Sequence, residues 1–257
     1  LVNGIACFAY AQARLQARHG MRPDERVWRR LESVGELANY LQVARNTTLR
    51  PWVAGLHPEH GAHAIELTLR QQYRRTIDEV AHWMPEAWRG PVNWVRCLPD
   101  LPALHYLLTG AAAPAWMQDD PQLRRYALDT PEARVQALHA SDCAALLTGW
   151  QRGEPLYIAW LEQWQVLWPR APRFAAGLEA LARLLRRHVG ALSLYAGAAS
   201  TPLHERLLRE LNKVFRRCSF QPAAAFAHLG LVALDVHQLR DQLLRRALFP
   251  GMTQSPP

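Results

Sequence analysis

The densest grouping of potential ligands in this 257-residue chain is His57-Pro58-Glu59-His60-Gly61-Ala62-His63, with Glu66 just beyond it. Imidazoles and carboxylates are donors that zinc and nickel accept, and on a continuous helix residues three apart share a face. Pro58 and Gly61 interrupt the helix that would align them, so the segment reads as a polar loop ahead of a helix and no metal ligands are assigned. Other catalytic patterns are missing from the sequence. There is no GxSxG elbow, no HExxH and no zinc-deaminase spacing, and Asp119-Asp120 lacks the further carboxylate of a magnesium-dependent prenyl-type site. Neither GxGxxG nor GxxxxGK[ST] occurs, so no phosphate-cradling loop is expected. These residues point away from an enzyme, and no catalytic residue or cofactor is assigned.

Three residue classes remain. The ten tryptophans include Trp150 and the set Trp160, Trp164 and Trp168, whose spacing of four puts them on one helix face. Such a stripe suits either core or an interface anchor, and core is the expectation. Cys7, Cys97, Cys143 and Cys218 are widely spread among apolar neighbours, with no CxxC and no secretory leader, which favours buried thiols in a reducing compartment. The net charge of +8 is uneven: residues 1–167 hold 17 Arg against 17 acids, whereas residues 168–257 hold 12 Arg and Lys213 against 5 acids. A basic C-terminal third attracts nucleic acid, anionic lipid or an acidic protein. Arg183, Arg186, Arg187, Arg245 and Arg246 are its candidate partner-facing residues, although cations also suit helix C-termini without any ligand.

The elements that must position these residues are helical. With 49% hydrophobic and 20% charged residues the chain can bury a core, and its apolar positions recur with a period near 3.6 rather than 2. Helices are expected near 4–19, 33–45, 60–84, 91–109, 131–139, 154–168, 173–190, 202–217 and 223–248, the last breaking near Gly230. Ser33-Val34-Gly35-Glu36 has the form of a capping box, while Thr130-Pro131 and Thr201-Pro202 offer an N-cap followed by Pro. The longest charge-free stretches, 101–118 and 219–234, carry prolines and polar residues, so no transmembrane helix is expected. The segments starting at Asp100 and Asp235 share an Asp, apolar, two variable, Leu, three variable, Leu pattern, with a weaker copy at Asp142. This suggests an internal repeat in which 91–109 and 223–248 occupy equivalent places, each Asp lying in a first helical turn.

Several stretches resemble the C/d family of V-type ATPase proteins, whose members join the rotor stalk to the membrane ring. Tyr10-Ala11-Gln12-Ala13-Arg14-Leu15-Gln16-Ala17-Arg18 is similar to the family's starting helix, and 31–49, with Tyr40-Leu41, to the segment after it. Residues 64–95, built on Leu67, Leu69, Tyr73, Ile77 and Trp83-Met84-Pro85, resemble the long helix pair that follows. Residues 226–244, centred on Asp235-Val236-His237-Gln238-Leu239-Arg240, look like the family's acidic-apolar-x-Asn-Leu-Arg helix, with Gln238 in place of the Asn. The resemblance covers about the first 110 and the last 60 residues. The chain is shorter than typical members, and 114–200 match poorly.

The resemblance implies an all-α fold of pseudo-repeated helical lobes in a funnel-like arrangement with a reduced middle lobe. The expected divisions are an N-terminal lobe at 1–113, a middle segment at 114–200 and a C-terminal lobe at 201–257 closing on the first. The implied function is non-catalytic: coupling the central stalk to the proteolipid ring for ion transport, as a peripheral protein on the cytoplasmic face of the membrane. The implied partners are stalk subunits, the ring and the membrane surface, with neither nucleic acid nor a small-molecule substrate favoured. The alternative is an Arg-rich helical nucleic-acid-binding or adaptor protein, which the charge asymmetry alone would suit.

Overall fold

The computed structural model describes the backbone of residues 2–194 and 200–249, with side chains over 7–191 and 202–249. Every regular element among them is helical and no strand is present. In chain order they are α1 (Val2–Gly20), α2 (Glu25–Glu32), α3 (Leu37–Arg45), α4 (Arg50–Val53), α5 (Ala62–Trp83) and α6 (Glu86–Asn93). A 3-10 helix (Trp94–Asp100) leads to α7 (Leu101–Leu108), then α8 (Trp116–Asp119), α9 (Pro131–His139), α10 (Ala144–Gln151) and α11 (Leu156–Val166). The chain ends with α12 (Pro172–Leu194), α13 (Ser200–Arg217) and α14 (Pro222–Leu248). Among the described residues no helix is long and apolar enough to cross a membrane.

The chain divides into two compact units, residues 1–84 with 208–257, and residues 85–207. In the first, α14 packs on α5, α1 and α3. Its Leu239 and Leu243 enter the core formed by Trp28, Leu31, Tyr40, Leu41, Leu49, Val53, Leu56, Ile65 and Leu69. The buried positions of α5, Ile65, Leu69, Tyr73, Ile77 and Val80, recur at three and four and so make one apolar stripe. The C-terminal segment from Leu208 packs with the N-terminal one, and the first unit's N-terminal stretch ends at Met84 rather than at 113. Residues 85–113 pack with 114–207 because their aromatic side chains find partners there. Trp94 Nε1 donates to Trp160 O at 3.0 Å and Trp160 Nε1 donates to Trp94 O at 3.2 Å, while Trp88 meets Phe174 edge-on at 6.0 Å.

Local chemistry explains where the helices differ from expectation. Asp24 accepts from Val27 N at 2.9 Å and starts α2, a helix the periodicity missed; Ser33 then closes it, its Oγ donating to Arg30 O. The Ser33–Glu36 capping box is therefore not formed, and α3 starts after Glu36 without a side-chain cap. Thr130 does cap α9, accepting from Ala133 N at 3.2 Å, whereas Thr201 lies inside α13. The expected helix at 91–109 is three elements. Pro99 removes the amide that would bond four residues back, and the backbone tightens to 3-10 geometry before α7 begins.

By contrast α14 runs unbroken through Gly230, where the missing Cβ admits Leu211: an added Cβ would lie 3.1 Å from Leu211 Cδ1. The two segments read as a repeat therefore differ in backbone. Asp100 sits at the junction of the 3-10 helix with α7, but Asp235 lies in the middle of α14, not in a first turn. Asp142 lies just outside α10.

Candidate functional site

The charged residues of α14 form a clamp across the first unit. Arg22, in the turn after α1, grips Asp235 in a forked pair, Nε to Oδ2 at 2.6 Å and Nη2 to Oδ1 at 2.9 Å, and also donates to Leu231 O at 3.4 Å. Both side chains are about nine-tenths buried, at 13% and 12% exposure. Burial pushes the Asp235 carboxyl above the usual carboxylate range, and Arg22 opposes that shift. One turn and a half further on, Arg240 pairs with Glu66 of α5, which Arg70 also approaches at 3.3 Å. Tyr40 donates its hydroxyl proton to Gln242 Oε1 at 2.8 Å, and Gln242 Nε2 donates to Glu32 Oε1 at 3.4 Å. The sequence motif at 235–240 thus carries two oppositely signed anchors, one to the end of α1 and one to α5.

Arg246 completes the clamp and corrects an expectation. It is 6% exposed, not partner-facing. Its guanidinium donates to Val34 O at 2.7 Å, Gln242 O at 2.7 Å, Leu31 O at 3.1 Å and Glu32 O at 3.4 Å, and lies 4.3 Å from the Tyr40 ring centroid. The carbonyls at the end of α2 lack intrahelical donors, and a rigid five-donor fork satisfies several together. Burial lowers the Arg246 pKa, yet the group stays cationic because an arginine starts so high. Arg134 plays the same part in the second unit, donating to Leu128 O, Ala111 O and Asp129 O. Neither role is visible in sequence, since nothing local distinguishes a buried Arg from an exposed one.

The remaining candidates stay on the surface of their own units. Arg183 is exposed and 3.7 Å from Glu179; Arg186 is exposed and donates to Gln165 Oε1 at 3.3 Å; Arg187 is exposed on the same stripe of α12. Arg245 is exposed beside buried Arg246 on α14. The three on α12 belong to the second unit and Arg245 to the first.

The other sequence features resolve into structure. His57 and His60 meet edge-on at 5.2 Å in a loop whose turn is closed by the His57 amide donating to His60 Nδ1, and Glu66 is committed to Arg70 and Arg240. No group of three or more metal-donor side chains converges among the described residues. Asp120 is fully buried, its Oδ1 accepting from Gln122 N at 2.9 Å, a local turn role. Trp160 and Trp164 are core: their rings stack at 5.9 Å, and Trp168 meets Trp164 edge-on at 4.9 Å. A shallow cavity of about 390 Å³ is lined by Arg45, Asn46, Arg50 and Ala54, a lining suited to an anion and holding no nucleophile. No family model, no curated protein and no solved structure matches the chain.

Proposed function

We propose that this protein is a non-catalytic coupling component of a V-type rotary ATPase, linking the central stalk to the membrane proteolipid ring. One observation carries the reading. The segments that resemble the V-type ATPase C/d family, at 10–18, 31–49, most of 64–95 and 226–244, are scattered over the sequence, yet all but residues 85–95 belong to one compact unit. The motif richest in the resemblance, 235–240, is the part of that unit that holds its outer pieces together through Arg22 and Glu66. The poorly matching stretch 114–200 lies wholly in the other unit.

The physical demand of the role agrees with this arrangement. A part that transmits torque must resist shear, and a forked, largely buried ion pair such as Arg22–Asp235 fixes register between helices better than apolar contact alone. The exposed Arg183, Arg186, Arg187 and Arg245 supply positive charge for the headgroup-level surface of the ring and for anionic lipid. The test is purification of the tagged chain in detergent from membranes of its own cells. Stoichiometric catalytic, stalk and proteolipid subunits are expected. Recovery of the chain with nucleic acid instead, in a salt-dependent manner, would favour the basic-binder alternative.

A further inference from the structure

Two of the four cysteines, 46 positions apart in sequence, touch: Cys97 Sγ lies 3.6 Å from Cys143 Sγ. Cys97 is on the 3-10 helix and half-buried; Cys143 is 4% exposed and stands at the N-cap of α10. The other two lie in the other unit. Cys7 is exposed on α1 and Cys218 follows α13, both in the unit formed by 1–84 and 208–257. A disulfide has an S–S length of about 2.05 Å, so the sulfurs need to close by roughly 1.5 Å.

We propose that Cys97 and Cys143 are a redox site that closes to an intramolecular disulfide when a peroxide is present. The surroundings favour the first step. The two sulfurs share a hydrogen bond, and with Cys97 as its donor that bond, together with the Arg125 guanidinium, lowers the pKa of Cys143, while the same bond and burial raise that of Cys97. A thiolate is the nucleophile in such chemistry, and a helix N-terminus favours it.

The Cys143 thiolate attacks one peroxide oxygen, forming an S–O bond as the O–O bond breaks and hydroxide leaves. Cys97 then gives up its proton to that hydroxide, making water, and attacks the sulfenic sulfur. The S–S bond forms, the S–O bond breaks, and the departing hydroxide takes up the proton lost from Cys143, as a second water. Two thiols are oxidised by two electrons in total and one peroxide is reduced to two waters. The closed form ties the 3-10 helix, and with it Trp94 against α11, to the corner between α9 and α10.

The test uses the full chain, reduced, desalted and exposed to hydrogen peroxide, then denatured, alkylated with N-ethylmaleimide and mapped by peptide mass. A Cys97–Cys143 linked peptide 2 Da lighter than its parts and released by a phosphine is expected. In Cys97→Ser the peroxide should instead leave Cys143 as a sulfenic acid captured by dimedone. Recovery of Cys97 and Cys143 as maleimide adducts after exposed Cys7 has been oxidised would overturn the proposal. So would linkage of either one to Cys7 or Cys218.

Discussion

Arg245 and Arg246 are neighbours in sequence with opposite duties, and the difference is measurable. Removing the Arg246 guanidinium leaves the carbonyls of Leu31, Glu32 and Val34 without that donor in a site water barely reaches. Arg246→Gln should cost about 3 kcal/mol of stability, whereas Arg245→Gln should fall within about 0.5 kcal/mol of the parent in urea unfolding. His228 gives a second prediction at this scale. It is 1% exposed, packs near Phe215 and His19, and its Nδ1 has no hydrogen-bond partner among the described residues. Burial, with His19, Arg22 and Arg18 nearby, brings its pKa down to about 3 from the ordinary 6.5. The folded chain keeps this imidazole neutral while the unfolded chain protonates it. Stability is therefore complete above about pH 6.5 and is lost as pH falls toward the folded value, by about 2 kcal/mol at pH 5. In His228→Phe the loss between pH 7 and pH 5 should shrink; an undiminished loss would assign the acid sensitivity elsewhere.

At the scale of elements, two glycines inside helices make contrasting predictions. A Cβ on Gly149 of α10 would sit 2.3 Å from Ala159 Cβ of α11, so Gly149→Ala must push the helices apart and should cost about 1–3 kcal/mol. At Gly230 the nearest atoms are the flexible tips of Leu211, and Ala gains about 1 kcal/mol of helix propensity. Gly230→Ala should therefore be neutral within that range, and thermal unfolding of the pair separates the two cases.

The same contrast explains what the sequence made legible. Helices with their own signals, such as α9 with Thr130-Pro131 and α14 with Pro222, start where those residues put them. The Ser33 box failed because Asp24 starts an earlier helix and Ser33 is consumed in ending it. The supposed break at Gly230 failed because a helical glycine can answer to a neighbouring side chain rather than to its own backbone. Legibility stops where an arginine's role depends on carbonyls two hundred residues away, as at Arg246, or where two thiols are joined only by folding, as at Cys97 and Cys143.

For the whole molecule, the division after Met84 was not readable because no linker composition marks it; the aromatic partners of Trp88 and Trp94 decide it. The charge asymmetry was readable, but only four of the five arginines drawn from it are exposed. Under the proposed coupling role, replacing Arg183, Arg186, Arg187 and Arg245 together by Gln should leave the fold intact and make membrane attachment of the motor give way at lower salt. Each cation near an anionic surface contributes about 1 kcal/mol. Sedimentation of membranes across a salt series reads this directly, and an unchanged release point would make these arginines an ordinary solvated surface. The proposed mechanical coupling is read from ion uptake per ATP hydrolysed in membrane vesicles that contain the motor, lack this chain, or have it added back. Coupling predicts hydrolysis with little ion uptake in its absence and restored uptake on addition; an unaltered ratio without the chain would rule the coupling role out.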